Sequence, residues 1–123
     1  MAWTTFSITT AEIGAIPEAD DALLMLNDNN RERSFTFPAD IIITDVINTT
    51  VVTNEHQYAF QVNGVKATSN LYTPVTQPNS SGRISFSDQK LTVASGNSFA
   101  VSQGQKAGVA EGWRILIKYE PVR

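Results

Sequence analysis

The chain has 123 residues, 41% of them hydrophobic and 17% charged, which is the composition of one globular domain and not of a disordered segment. Nine basic residues against twelve acidic ones give a net charge of −3, and the basic residues are scattered, so a nucleic-acid partner is not expected. There are no cysteines, which excludes disulfides, thiolate metal sites and a cysteine nucleophile.

MAWTTFSITT has neither the basic start nor the apolar run of a signal peptide, so secretory export is not expected. The longest apolar runs, such as Ile41-Ile42-Ile43, are too short to cross a bilayer, and no membrane partner is expected either. Trp3 to Thr10 reads as a first strand carrying Phe6 and Ile8. Ala11 to Ala19, with Gly14 and Pro17, reads as a connection rather than a helix. Ala22 to Leu26 is apolar enough for a helix turn or a buried strand. Because Asn27 to Asn30 are turn formers and Arg33, Phe35 and Phe37 then alternate, strand–turn–strand is the favoured reading.

The strongest strand signals lie between Ile41 and Lys66. Residues 41 to 52 are crowded with β-branched side chains, which suit a pleated surface better than a helix. After Asn54-Glu55-His56, Tyr58, Phe60 and Val62 alternate with Ala59, Gln61 and Asn63, and Asn63-Gly64 is the pair that a type I′ hairpin turn prefers. This stretch is expected at the centre of an antiparallel sheet.

Thr68 to Gly82 reads as a long surface loop with at most one short strand. Short strands resume around Ile84 and Phe86, Leu91 and Val93, and Phe99 and Val101, followed by a glycine-bearing loop from Gln103 to Gly112. In the last strand Trp113, Ile115, Ile117 and Tyr119 face one way, and Arg114, Lys118 and Glu120 the other. About eight to ten short strands without a helix, separated by turns, make an all-β antiparallel sandwich. A jelly roll fits best, with an immunoglobulin-like sandwich as runner-up, in one domain spanning residues 1–123.

No residue cluster declares a chemistry. His56 is the sole histidine and is expected as a solvated turn residue; no G-x-S-x-G elbow accompanies the serines. Glu18, Asp20, Asp21 and Asp28 do not follow a calcium-loop pattern, and Gly104 to Gly108 lacks the phosphate-loop pattern. Asn48-Thr49-Thr50 and Asn79-Ser80-Ser81 read as chance matches to the glycosylation sequon. Neither enzymatic activity nor a cofactor or metal is expected. Trp113 and Tyr58 are expected in the core, and Tyr72 as an exposed ring.

The YAFQVNGV hairpin, the run GRISFSDQKLTVASGNSFAV and the close GWRILIKYEPVR, in a short cysteine-free acidic β chain, resemble the small jelly-roll head decoration (cement) proteins of tailed bacteriophages. The resemblance implies a virion structural protein on the capsid surface, assembled in the host cytoplasm. It further implies a homotrimer at local three-fold positions, bridging neighbouring major capsid proteins by interface burial without catalysis. Trp3, Thr5 and Phe6 on the first strand, with Tyr72, are the candidate partner-binding residues; Trp3 equally suits a cap on its own sandwich. The alternatives are a glycan-binding tail-fibre or baseplate head domain and a carbohydrate-binding module.

Overall fold

The computed structural model describes residues 2–14, 23–49, 56–68, 71–72, 82–85, 91–103 and 112–122, and only the backbone at 71–72 and 82–85. Its strands are β1 (Ala2–Ile8), β2 (Leu26–Asn27), β3 (Phe35–Thr36), β4 (Ile41–Asn48), β5 (Gln57–Val62), β6 (Val65–Lys66), β7 (Leu71–Tyr72), β8 (Gly82–Ser85), β9 (Thr92–Val93), β10 (Ser98–Gln103) and β11 (Trp113–Pro121). They build two antiparallel sheets. One runs β2-β1-β11-β4-β8, with β9 also pairing with β4; the other runs β3-β10-β5-β6, with β7 also pairing with β5. The sheets pack face to face as an all-β sandwich.

The run expected at the centre of one sheet is divided between two. β4 lies inside the first sheet and β5 inside the second, so the chain changes sheet between Asn48 and Gln57. The Asn63-Gly64 turn forms as expected, with φ of 52° and 80°, and joins β5 to β6.

β11 alternates as read: Trp113, Ile115 and Ile117 are buried, while Arg114 and Glu120 are exposed. Its partner β4 does not alternate throughout. Lys118 pairs with Asp45 and Tyr119 with Ile43, which leaves Thr44 as an extra residue in a β-bulge. The bulge lets Ile41 and Ile43 face inward before it and Val46 and Asn48 after it. Thr44 Oγ1 donates to the Lys118 carbonyl at 3.3 Å, holding the extra residue against β11.

Between the sheets the aliphatic core carries a cluster of aromatic rings. Phe6 of β1 meets Phe99 of β10 edge-on at 5.9 Å, and Phe99 lies 5.3 Å from Phe60 and 5.5 Å from Phe37. All four rings are fully buried. Burial of each side chain stabilises the fold by about 1.5–3 kcal/mol.

One expectation about the first third is corrected. The residues after β1 form a short helix, α1 (Thr10–Gly14), because Thr9 and Glu12 make a capping box. The Glu12 N–H donates to Thr9 Oγ1 and the Thr9 N–H to Glu12 Oε1, each at 3.1 Å. The strand–turn–strand reading around Asn27–Asn30 holds, with β2 before the turn and β3 after it, but the two strands do not pair with each other. β2 joins β1, whereas β3 joins β10. Just ahead of β2 the chain still follows β10: the Gln103 N–H donates to the Leu23 carbonyl and the Met25 N–H to that of Val101, both at 2.8 Å. Residues 23–27 thus pass from one sheet to the other.

Candidate docking surface on the first strand

Period-2 alternation decides what β1 offers to solvent. Thr4, Phe6 and Ile8 point into the sandwich and are buried; Trp3, Thr5 and Ser7 occupy the outer face. Trp3 remains 57% exposed, the most exposed aromatic ring among the described residues. Phe6 is 0% exposed. Its expected place in a partner-binding set is therefore corrected: being one residue out of phase with Trp3 and Thr5, it belongs to the core.

On the outer face, cross-strand register sets the neighbours. Trp3 lies opposite Lys118, and Lys118 opposite Asp45. In the next row Thr5 lies opposite Leu116 and Leu116 opposite Ile47, both half-buried. Leu116, an apolar side chain among Arg114, Lys118 and Glu120 on this face of β11, thus joins Ile47 in an apolar strip diagonal to Trp3 and flanked by a basic and an acidic residue.

Farther along β1 the face is polar and tied down by Asp28. Thr5 Oγ1 donates to Asp28 Oδ2 and Ser7 Oγ to Asp28 Oδ1, each at 2.8 Å; Arg114 Nε donates to Oδ2 at 3.1 Å. The hydroxyl of Thr5 is therefore spent inside the protein, which reduces what it can give a partner. Beneath it the buried Thr4 hydroxyl donates to Asn29 Oδ1 and accepts from Asn27 Nδ2, each at 2.8 Å.

Among the described residues the outer edge of β1 is only partly covered. The Asp28 N–H donates to the Thr5 carbonyl at 2.9 Å, so odd-numbered residues of β1 turn their backbone groups away from β11. β2 pairs with Phe6 and Ser7 only, and among the described residues no strand lies beside Trp3 on that edge. Among the described residues, an exposed indole and an uncovered strand edge thus coincide at Trp3.

The other candidates are dispersed. The Tyr72 backbone pairs with Gln57 in the second sheet, and its side chain is outside the described residues. Glu18, Asp20, Asp21, Gly104 to Gly108 and Asn79 to Ser81 also lie outside them. Among the described residues no group of three or more His, Cys, Asp or Glu side chains could hold a metal ion, and Asp28 is held by hydroxyls and a guanidinium.

His56 is a correction: it is 0% exposed and packs against Trp113. Trp113 and Tyr58 are buried in the core as expected, and the burial of Asn48 is consistent with a chance sequon. Among the described residues, those lining a shallow recess of about 230 Å³ beside Ser7, Thr9, Gly112 and Arg114 include no acid–base pair. No helix among the described residues is long and apolar enough to cross a membrane. No family model, curated protein or solved structure matches the chain.

Proposed function

We propose that this chain is a non-enzymatic virion structural protein, a decoration protein that docks on the major capsid protein lattice of a phage head and stabilises it. The observation that carries this reading is Trp3, a 57% exposed indole on a strand edge that no strand covers among the described residues. Tryptophan is among the residues that dominate interface energetics once desolvated, and an open edge accepts a neighbouring strand through backbone hydrogen bonds.

The strand order supports the finer fold reading of a jelly roll. From β3 through β4 to β5 the chain changes sheet at each step, and it does so again from β9 through β10 to β11. That is the interleaving expected of two Greek keys wrapped around one core. In the proposed assembly three copies surround a local three-fold axis, each presenting β1 to the lattice. A glycan platform is the weaker alternative, because among the described residues no second exposed ring stands near Trp3.

The test is co-sedimentation of the purified protein with undecorated shells of the parent particle, together with its native mass in solution. Saturable binding by the parent chain, lost in Trp3→Ala and kept in Val65→Ala, supports the reading. Equal binding by both variants, or none by the parent chain, overturns it.

A further inference from the structure

We propose that Asn63 is a site of spontaneous deamidation in the folded protein. It is the one asparagine in the sequence followed by glycine. Both residues are exposed at the β5–β6 turn. Gly64 has no Cβ, and nothing beyond its chain neighbours lies within 4 Å of where one would stand, so the turn is uncrowded at this residue.

The carbonyl to be attacked is already polarised. Asn63 Oδ1 accepts the Ser98 N–H at 2.9 Å, while the Asn63 N–H donates to the Ser98 carbonyl at 2.7 Å. The side-chain oxygen thereby takes the ladder position that the Asn63 backbone carbonyl would fill in a straight strand. It is also the oxygen that gains negative charge as the tetrahedral intermediate forms, so the Ser98 N–H is a ready donor to it.

In the reaction the Gly64 nitrogen bonds to Asn63 Cγ and gives up its proton. The bond from Cγ to the amide nitrogen breaks, and that nitrogen leaves as ammonia. Water then opens the resulting succinimide at either carbonyl, leaving aspartate or isoaspartate, with no change in oxidation state. The aspartate product keeps an acceptor for Ser98 and adds one negative charge to a chain of net −3. Isoaspartate instead inserts a methylene into the main chain of a two-residue turn, where the pairing of Val62 with Val65 and of Gln61 with Lys66 depends on turn length.

The experiment is incubation of the full chain in mildly alkaline native buffer, with peptide mapping by mass spectrometry, beside the same chain unfolded in urea. The expected result is conversion at Asn63 severalfold ahead of Asn29, Asn30 and Asn97, whose successors all carry a Cβ. Hydroxylamine, which traps the succinimide, then cleaves the chain between residues 63 and 64. Gly64→Ala slows the conversion severalfold. Asn63 staying intact in native buffer overturns the proposal, and conversion confined to the unfolded chain does so by showing that the turn protects the residue.

Discussion

The imidazole of His56 lies nearly parallel to the indole of Trp113, with ring centroids 5.8 Å apart and planes 13° from each other. Tyr58 adds a third ring, 5.6 Å from Trp113, and all three are buried. Histidine here fills volume in the core. His56→Ala is therefore expected to cost about 2–4 kcal/mol, as for other large-to-small core substitutions. Equilibrium urea unfolding measures it; a change within about 0.5 kcal/mol is the value for a solvated surface residue and contradicts the buried stack.

The short helix after β1 predicts a pH-dependent contribution. Burial pushes the Glu12 carboxyl upward, but the Thr9 N–H, the Arg33 guanidinium and the Thr9 hydroxyl outweigh it and hold the carboxyl below its ordinary value. A carboxyl with a lower pKa in the folded state binds fewer protons folded than unfolded. Its stabilisation is complete above the ordinary glutamate range and disappears as pH falls through the folded value. The ion pair to Arg33, at 2.7 Å, is partly solvated, with side chains 46% and 26% exposed. Glu12→Gln keeps an acceptor for the Thr9 N–H and loses the charge, so it is expected to lose only about 0.5–1 kcal/mol at neutral pH. Its stability converges on the parent's in strong acid, which urea titrations at the two pH values check.

The Asp28 carboxylate ties β1 and β11 to the turn through side-chain hydrogen bonds. It accepts from Thr5 and Ser7 of β1 and from Arg114 of β11. Asp28→Ala leaves those donors to water on a half-exposed face, so the expected loss is about 1–2 kcal/mol, near the lower range for hydrogen bonds to a charged group. Asp28→Asn keeps two-point acceptance in part and is expected to fall between the parent and the alanine variant in the same unfolding measurement.

Where alternation was regular, the fold was legible in the residues. β11 and the Asn63-Gly64 turn follow from side-chain period and turn chemistry, both of which are local. Which sheet each strand joins is not local. Nothing in residues 41–66 says that β4 and β5 part company, because either arrangement buries the same apolar faces. The bulge at Thr44 was hidden because Ile41 to Asn48 is rich in apolar residues on both faces, so a one-residue shift leaves no break in the pattern. His56 was misread for a related reason: a polar neighbourhood in sequence, Asn54-Glu55, says nothing about the Trp113 ring brought over it from the far end of the chain. The Thr9–Glu12 capping box, by contrast, was readable from its spacing and was masked by the Gly14 and Pro17 that follow. For the candidate site, exposure of Trp3 rests on phase along β1, and the same phase removes Phe6.

That phase difference also separates docking from folding. Trp3 and Phe6 are three residues apart on one strand and lie on opposite faces, one 57% exposed and one fully buried. Phe6→Ala empties a site lined by Phe99 and is expected to cost about 3–5 kcal/mol of stability. Trp3→Ala removes a ring that mostly faces water, so its stability should stay within about 0.5 kcal/mol of the parent. Any loss of shell binding by Trp3→Ala then reflects a missing contact and not a damaged fold. Thermal unfolding of the two variants, read beside their co-sedimentation with shells, decides it. A Trp3→Ala protein destabilised as much as Phe6→Ala would mean that the indole caps its own sandwich, and β1 would cease to be the candidate docking strand.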